Sequence, residues 1–217
     1  MVLKLFGSPQ SKPTLRVAHI LKEKQVPFEF IVIDSSAKEH KSPEYLKKQP
    51  FGQIPYTDDD GFILFETRAI CKYVAAKWRD QGSPLLPDHN DLKATALFDQ
   101  ALSIEYSNFD PIVIEILMEK MYKAKFLGQE PDQAKLAASM EKLGGKLEGY
   151  EAILSKQKYL AGDNVTLADL FHLALGSMLA EVADIQLLSD KTKYPNVARW
   201  WADISSRSAW LEVQNGI

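Results

Sequence analysis

The chain has 217 residues, 46% hydrophobic and 25% charged, the balance of an ordinary globular protein with enough length for two small domains or one large one. A net charge of −3 and the lack of any Lys/Arg-rich tract give no electrostatic support to nucleic acid or an anionic membrane as partner. The single cysteine, Cys71, excludes an internal disulfide and an all-cysteine metal cluster. The first apolar residues are too few for a signal peptide, and no run reaches the length of a membrane-spanning helix, so the expected setting is the reduced cytoplasm.

In chain order, Val2 to Phe6 alternates like a short strand, and Gly7-Ser8-Pro9 breaks it. A helix is expected from about Lys12, carrying Val17, Ala18, Ile20 and Leu21 and closed by Pro27; Pro13 fits its first turn. Phe28 to Ile33 is a β-prone run, so the opening reads as βαβ with parallel strands. The polar stretch Lys38 to Lys48 reads as a short irregular helix. Ile54 to Thr57 and Phe62 to Phe65 flank Asp58-Asp59-Asp60-Gly61, a hairpin signal, and Glu66 to Lys77 is again helical.

Residues 81–90, rich in Pro and Gly, read as a linker between a domain over 1–80 and an all-helical domain over 91–217. The second domain is expected to hold a long helix from Leu92 to about Lys125 kinked at Pro111, and another from Gln133 to Leu154. Thr166-Leu167-Ala168-Asp169 has capping-box spacing, and Asn196 to Ser205 supplies a further short helix.

Four features could carry chemistry. Ser11 sits where the first strand hands over to the first helix: its hydroxyl is either an N-cap or a donor to an anion drawn to the helix start. Gln53-Ile54-Pro55 opens a strand with a residue that cannot donate to a sheet. It is either an ordinary edge or a turn that leaves the Ile54 backbone free to pair with an extended peptide. Glu66-Thr67, at a strand-to-helix junction, offers a carboxylate for an ammonium and a helix start for an anion, or simply caps. His40-Lys41 is a cationic pair, either solvated or facing a carboxylate. Together they complement a short peptide carrying a thiol, two carboxylates and one amine, which describes glutathione.

The residues around these positions resemble the glutathione transferases, and their phi class in particular. The matching stretches are Phe6-Gly7-Ser8-Pro9-Gln10-Ser11, His40-Lys41-Ser42-Pro43, Pro50-Phe51-Gly52-Gln53-Ile54-Pro55 and Leu64-Phe65-Glu66-Thr67-Arg68-Ala69-Ile70. Two more are Tyr159-Leu160-Ala161-Gly162-Asp163 and Thr166-Leu167-Ala168-Asp169. The resemblance implies a thioredoxin-like domain, β-α-β-α-β-β-α with a mixed four-stranded sheet, followed by an all-helical domain, commonly paired as a homodimer. It implies a cis bond before Pro55 and assigns Ser11 to the glutathione sulfur. The Ile54 backbone goes to the cysteinyl unit, and Glu66 and Thr67, with Gln53 assisting, to the γ-glutamyl end, with Arg68 a further glutathione-binding residue. His40 and Lys41 go to the glycyl carboxylate.

Phe51 stands where related classes insert an aromatic key into the partner subunit; packing within its own chain is the alternative. The family places the hydrophobic electrophile between the two domains, with Gln10 and Lys12 facing Tyr106, Phe109, Val113 and Leu117. Ordinary core is the competing reading for each member of that apolar set. Glutathione is then a co-substrate, with no metal and no other cofactor. Thr67 stands where serine is usual and Gln49 where asparagine is common, while Lys12-Pro13 replaces small residues; threonine keeps the hydroxyl but restricts its rotamer.

The expected activity is attack of the glutathione thiolate on a hydrophobic electrophile, with reduction of organic peroxides as a further reaction. A thiol with a pKa of about 8.5 is only a few per cent ionised at pH 7. Lowering that value by about two units takes roughly 2.7 kcal/mol. A hydrogen bond to the charged sulfur supplies about 1.5–3 kcal/mol, and a helix start about 0.3–1 more. Ser11 would therefore donate, not attack. A glutaredoxin-like reaction would need cysteine near position 11. A non-catalytic carrier of hydrophobic ligands is the alternative on the same fold.

Overall fold

The computed structural model describes residues 2–181 and 183–217, which form two compact units, 1–86 with 207–217 and 87–206. In the first, β1 (Leu3–Gly7) leads into α1 (Lys12–Glu23), then β2 (Phe28–Val32) and α2 (Pro43–Leu46). The hairpin β3 (Tyr56–Asp59) and β4 (Phe62–Phe65) and the helix α3 (Thr67–Lys77) complete it. The sheet order is β2-β1-β3-β4, with β1 parallel to β2 and both other pairings antiparallel, the thioredoxin-like arrangement. Leu3 and Leu5 of β1 are buried with Leu15, Ile20 and Leu21 of α1 and Ile70 and Val74 of α3. The strand residues fall at period two and the α3 pair at a spacing of four, as packed layers require, while α1 is buried on nearly every side.

The hairpin turn is built as its Asp-Gly tip predicts. Asp60 and Gly61 both have positive φ, and Gly61 N donates to Asp58 Oδ1 at 2.8 Å. β3 starts two residues later than the sequence suggests, because Pro55 has no N–H to give the ladder; the Ile54–Pro55 bond is cis. The polar stretch resolves into a 3₁₀ turn at Glu39–Lys41 and α2, capped by Ser42 Oγ accepting from Tyr45 N.

The second unit holds α4 (Leu92–Ile104), α5 (Asp110–Leu117), α6 (Gln133–Leu154), α7 (Leu167–Leu170), α8 (Leu173–Glu181) and α9 (Pro195–Ser205). The expected single helix from Leu92 to about Lys125 is instead α4 and α5, joined by a π-helical turn at Glu105–Phe109 and followed by another at Met118–Leu127. Pro111 accordingly lies in the first turn of α5, where its missing N–H breaks no bond. The core centres on His172, whose ring lies 4.6 Å from that of Phe109 and 5.0 Å from that of Trp200. Its Nδ1 faces the Ala168 carbonyl at 2.9 Å and so carries the proton; Nε2 accepts from Tyr150 Oη at 2.9 Å.

Asp169 is fully buried at the start of α7 and accepts four hydrogen bonds. Leu160 N (2.9 Å) and Trp200 Nε1 (3.0 Å) reach one oxygen, Thr166 N (2.9 Å) and Thr166 Oγ1 (3.0 Å) the other. Burial pushes its carboxyl up, against these bonds.

The boundaries differ from those expected. The residues taken as the first part of a linker belong to the first unit, where Ser83 N donates to Glu23 O and Lys24 Nζ to Ser83 O. The chain's last eleven residues, expected in the helical domain, return to α1 with α10 (Ser208–Leu211). What draws them there is a buried carboxylate. Glu23 accepts from Arg207 Nε (2.6 Å), Arg207 Nη2 (2.7 Å) and Ser83 Oγ (2.6 Å), and its Oε1 lies 3.3 Å from His19 Nε2. Burial by itself would raise the Glu23 carboxyl, but the bonds from Arg207, His19 and Ser83 outweigh it and hold the group well below its usual range. Burial likewise lowers His19 against the pull of Glu23.

Both folded values lie below the unfolded ones, so both groups contribute stability that is lost as pH falls. For His19 the loss begins near its ordinary value of 6.5, and for Glu23 near 4.5. Glu23→Gln is expected to cost about 3 kcal/mol at pH 7, the low end for breaking a buried pair. It should also flatten the decline of thermal stability below pH 4.5. Parallel wild-type and variant curves between pH 7 and 3.5 would disprove this.

Candidate functional site

The strand register brings the predicted features to one end of the sheet. Tyr56, the first residue of β3, pairs with Phe6 near the end of β1 and with Phe65 at the end of β4; Gly7 pairs with Val32 at the end of β2. Ser8–Ser11, Gln53–Pro55, Glu66–Thr67 and the segment leading to His40–Lys41 therefore all leave the sheet at this end.

Ser11 is the N-cap of α1 by backbone, with φ −69° and ψ 120°; its carbonyl accepts from Leu15 N at 2.9 Å and its N–H closes a turn onto Ser8 O at 3.1 Å. Its hydroxyl makes no capping bond, and the first turn of α1 contains no acidic residue. The half-buried hydroxyl thus stands at an unneutralised helix start. A serine acting as a side-chain cap would have spent its oxygen on the helix, and this one has not.

Ile54 is half-buried, and among the described residues nothing pairs with its backbone N–H or C=O. Its neighbour Gln53 is fixed at both backbone groups: N–H to Gln49 Oε1 at 3.1 Å, C=O to Tyr45 Oη at 2.6 Å. Tyr45 and Gln49 are buried and are the supports that sequence reasoning missed. Gln49 was visible as a departure from the family pattern, while Tyr45 carried no signal. The buried Pro55 follows, and the Gln53 side chain is exposed.

Glu66 caps α3 by position only. Its φ of 70° is unusual for a residue with a Cβ, its side chain makes no capping bond, and it is exposed. Such a conformation costs on the order of 1–3 kcal/mol and recurs at ligand sites. Thr67 and Arg68 follow in the first turn of α3, both half-buried.

The cationic pair is not simply solvated. Lys41 Nζ donates to Gly52 O at 2.7 Å and Phe51 O at 3.3 Å, leaving one of its three hydrogens. Gly52 has φ +60°, and a Cβ there would fall 2.8 Å from Lys41 Cδ. His40 is half-buried, with Nδ1 enclosed and without a hydrogen-bond partner. Phe51 is 65% exposed, its ring edge-on to Phe65 at 6.1 Å.

The proposed electrophile residues divide. Gln10 is exposed, Lys12 half-buried and Tyr106 63% exposed. Phe109, Val113 and Leu117 are each 0% exposed. Their spacing of four places them on one stripe, and in the second unit Phe109 packs against His172 and Tyr150. They belong to the core, so the competing reading holds for these three. Cys71 is also fully buried, its Sγ 3.8 Å from Arg16 O, and among the described residues no group of His, Cys, Asp and Glu could hold a metal.

Comparison with known proteins identifies the family. The glutathione S-transferase N-terminal domain family matches residues 1–76, and the C-terminal domain family residues 109–208. Glutathione S-transferase hmp2 of Hypomyces subiculosus is 42% identical over 214 residues, 98% of each chain. Glutathione transferase F7 from Populus trichocarpa superposes with a TM-score of 0.89 at 42% identity, covering 98% of this chain and 97% of that one. Glutathione S-transferase I from mais, solved with an atrazine glutathione conjugate, gives 0.88 at 36%, covering 99% and 97%. The chain belongs to the glutathione transferases, within their phi class. It is a transferase with glutathione as co-substrate.

Proposed function

We propose that Ser11 donates its hydroxyl hydrogen to the sulfur of glutathione, holding it as the thiolate that attacks a hydrophobic electrophile. The observation that carries this is the Ser11 hydroxyl, uncommitted at the start of a helix with no acid in its first turn. The Ile54 backbone pairs with the cysteinyl unit, as its free N–H and C=O allow. The Glu66 carboxylate takes the γ-glutamyl ammonium. Thr67, with Gln53 and Arg68, takes the adjoining carboxylate. His40 and the remaining Lys41 hydrogen face the glycyl carboxylate.

The mais relative, solved with a glutathione conjugate, supports conjugation as the reaction. Tyr106 and Gln10 are exposed and suit contacts to the electrophile; the same thiolate is suited to reducing organic peroxides. Exposed Phe51 fits a homodimer contact. The need for reduced glutathione fits the cytosol.

The test is turnover of a panel of aryl halides, isothiocyanates and peroxides by wild type and Ser11→Ala; an undiminished variant would refute the assignment. Lys41→Met keeps the aliphatic stem but frees the Phe51 and Gly52 carbonyls. It is expected to raise KM for glutathione roughly tenfold, equivalent to about 1.4 kcal/mol, with kcat within about twofold. A change confined to kcat would contradict that.

A further inference from the structure

The returning segment Arg207–Ile217 lies antiparallel along α1. At its start Arg207 grips Glu23 in the last turn of that helix. One turn nearer the start of the helix His19 meets Trp210 with ring centroids 5.4 Å apart, while Lys22, beside Glu23, has its Nζ 3.1 Å from Glu212. Trp210 and Val213 are buried beneath the segment. Its end reaches the turn that precedes α1, where Ile217 N donates to Pro9 O at 3.3 Å.

The far contact bears on the site. Residues Ser8–Ser11 form the turn closed by Ser11 N onto Ser8 O, and the Pro9 carbonyl is the acceptor that this turn leaves facing the segment. The approach is close enough to need a glycine: Gly216 has φ +126°, and a Cβ on it would stand 3.3 Å from Pro9 O. Two separate features, a hydrogen bond and a glycine in a conformation other residues rarely adopt, thus meet on the peptide two residues before Ser11.

We propose that the Gly216–Ile217 backbone is a positioning latch for the catalytic turn, anchored at its other end by the Arg207–Glu23 pair. The inference rests on Ser11 as the thiolate donor. A hydrogen bond to sulfur depends steeply on distance and angle, and misplacement by about 1 Å can cost a hundredfold in rate. Holding Pro9 fixes where the Ser11 hydroxyl sits relative to the helix start that shares its work. The latch touches no substrate; it acts through the turn.

Ile217→Pro removes the N–H and keeps an apolar side chain, whereas Ile217→Ala keeps the N–H and removes most of the side chain. Steady-state conjugation of an aryl halide is measured for both, with Ser11→Ala alongside, from pH 5.5 to 9. The expected result for Ile217→Pro is a kcat reduced about tenfold. Its kcat/KM profile should move to higher pH, with KM for glutathione and the thermal midpoint near wild type. Ile217→Ala should match wild type within about twofold in kcat. The latch is overturned if the two variants are equally impaired, or if both match wild type while Ser11→Ala is impaired. It is also overturned if Ile217→Pro loses rate only in proportion to a large fall in thermal midpoint. Full activity in Ser11→Ala would instead remove the serine assignment itself.

Discussion

Replacing Ser11 by alanine is expected to lower kcat/KM for conjugation by roughly ten- to a hundredfold, the kinetic equivalent of a 1.5–3 kcal/mol hydrogen bond to a charged acceptor. The pH midpoint of that parameter should rise by about one to two units, toward the value near 8.5 of an ordinary thiol. Residual activity survives because the start of α1 still favours the thiolate by about 0.3–1 kcal/mol. KM for glutathione should change little, since in the proposed binding mode Ile54 takes the cysteinyl backbone, Glu66 and Thr67 the γ-glutamyl end, and His40 and Lys41 the glycyl end. Removing an N-cap oxygen normally costs about 0.5–2 kcal/mol of stability. Ser11 makes no capping bond with its side chain, so the variant should melt close to wild type. A variant that lost stability but kept its pH profile would return Ser11 to the role of a cap.

The largest effect on stability is expected at Asp169. Alanine there orphans the N–H groups of Leu160 and Thr166, the Thr166 hydroxyl and the indole N–H of Trp200, all gathered on one buried carboxylate. Each unsatisfied buried donor costs about 1–3 kcal/mol before relaxation. A net loss of about 4 kcal/mol puts the variant in the far tail of single substitutions. For a chain of this length that corresponds to roughly 8–16 °C in Tm, read by thermal unfolding. Asp169→Asn keeps one acceptor oxygen and should fall between. Activity per folded molecule should be unchanged, and a loss under about 1 kcal/mol for alanine would contradict the account.

Local chemistry was legible in the sequence; long-range partnership was not. α6 begins at Gln133 as the sequence suggests, the N-cap Asp132 accepting from Lys135 N at 3.0 Å, and the Asp-Gly tip forms the expected turn. Both are decided within four residues. The return of Arg207 to Glu23 joins positions 184 apart, and neither residue announces the other. The apolar stripe of Phe109, Val113 and Leu117 could be read from spacing, but spacing does not say which surface a stripe meets. The π-helical turn before Asp110 has no pattern of its own. At the site, residue types and order placed Ser11, Ile54 and Glu66 correctly on their junctions. Which of their atoms were already in use, as with Lys41 Nζ, depended on packing that only the structure supplies.

The alignment of Phe6, Tyr56 and Phe65 across the sheet also sets where the chain can tolerate a change of length. Each residue of strand spans about 3.4 Å, so one inserted in β1, β3 or β4 would slide a junction by that distance and turn the following side chains to the other face. The tip at Asp60–Gly61 lies at the opposite end of the same ladder, with nothing within 4 Å of where a Gly61 Cβ would sit. Added residues there leave every register in place. It is the natural point in this domain at which to splice a tag or a foreign loop.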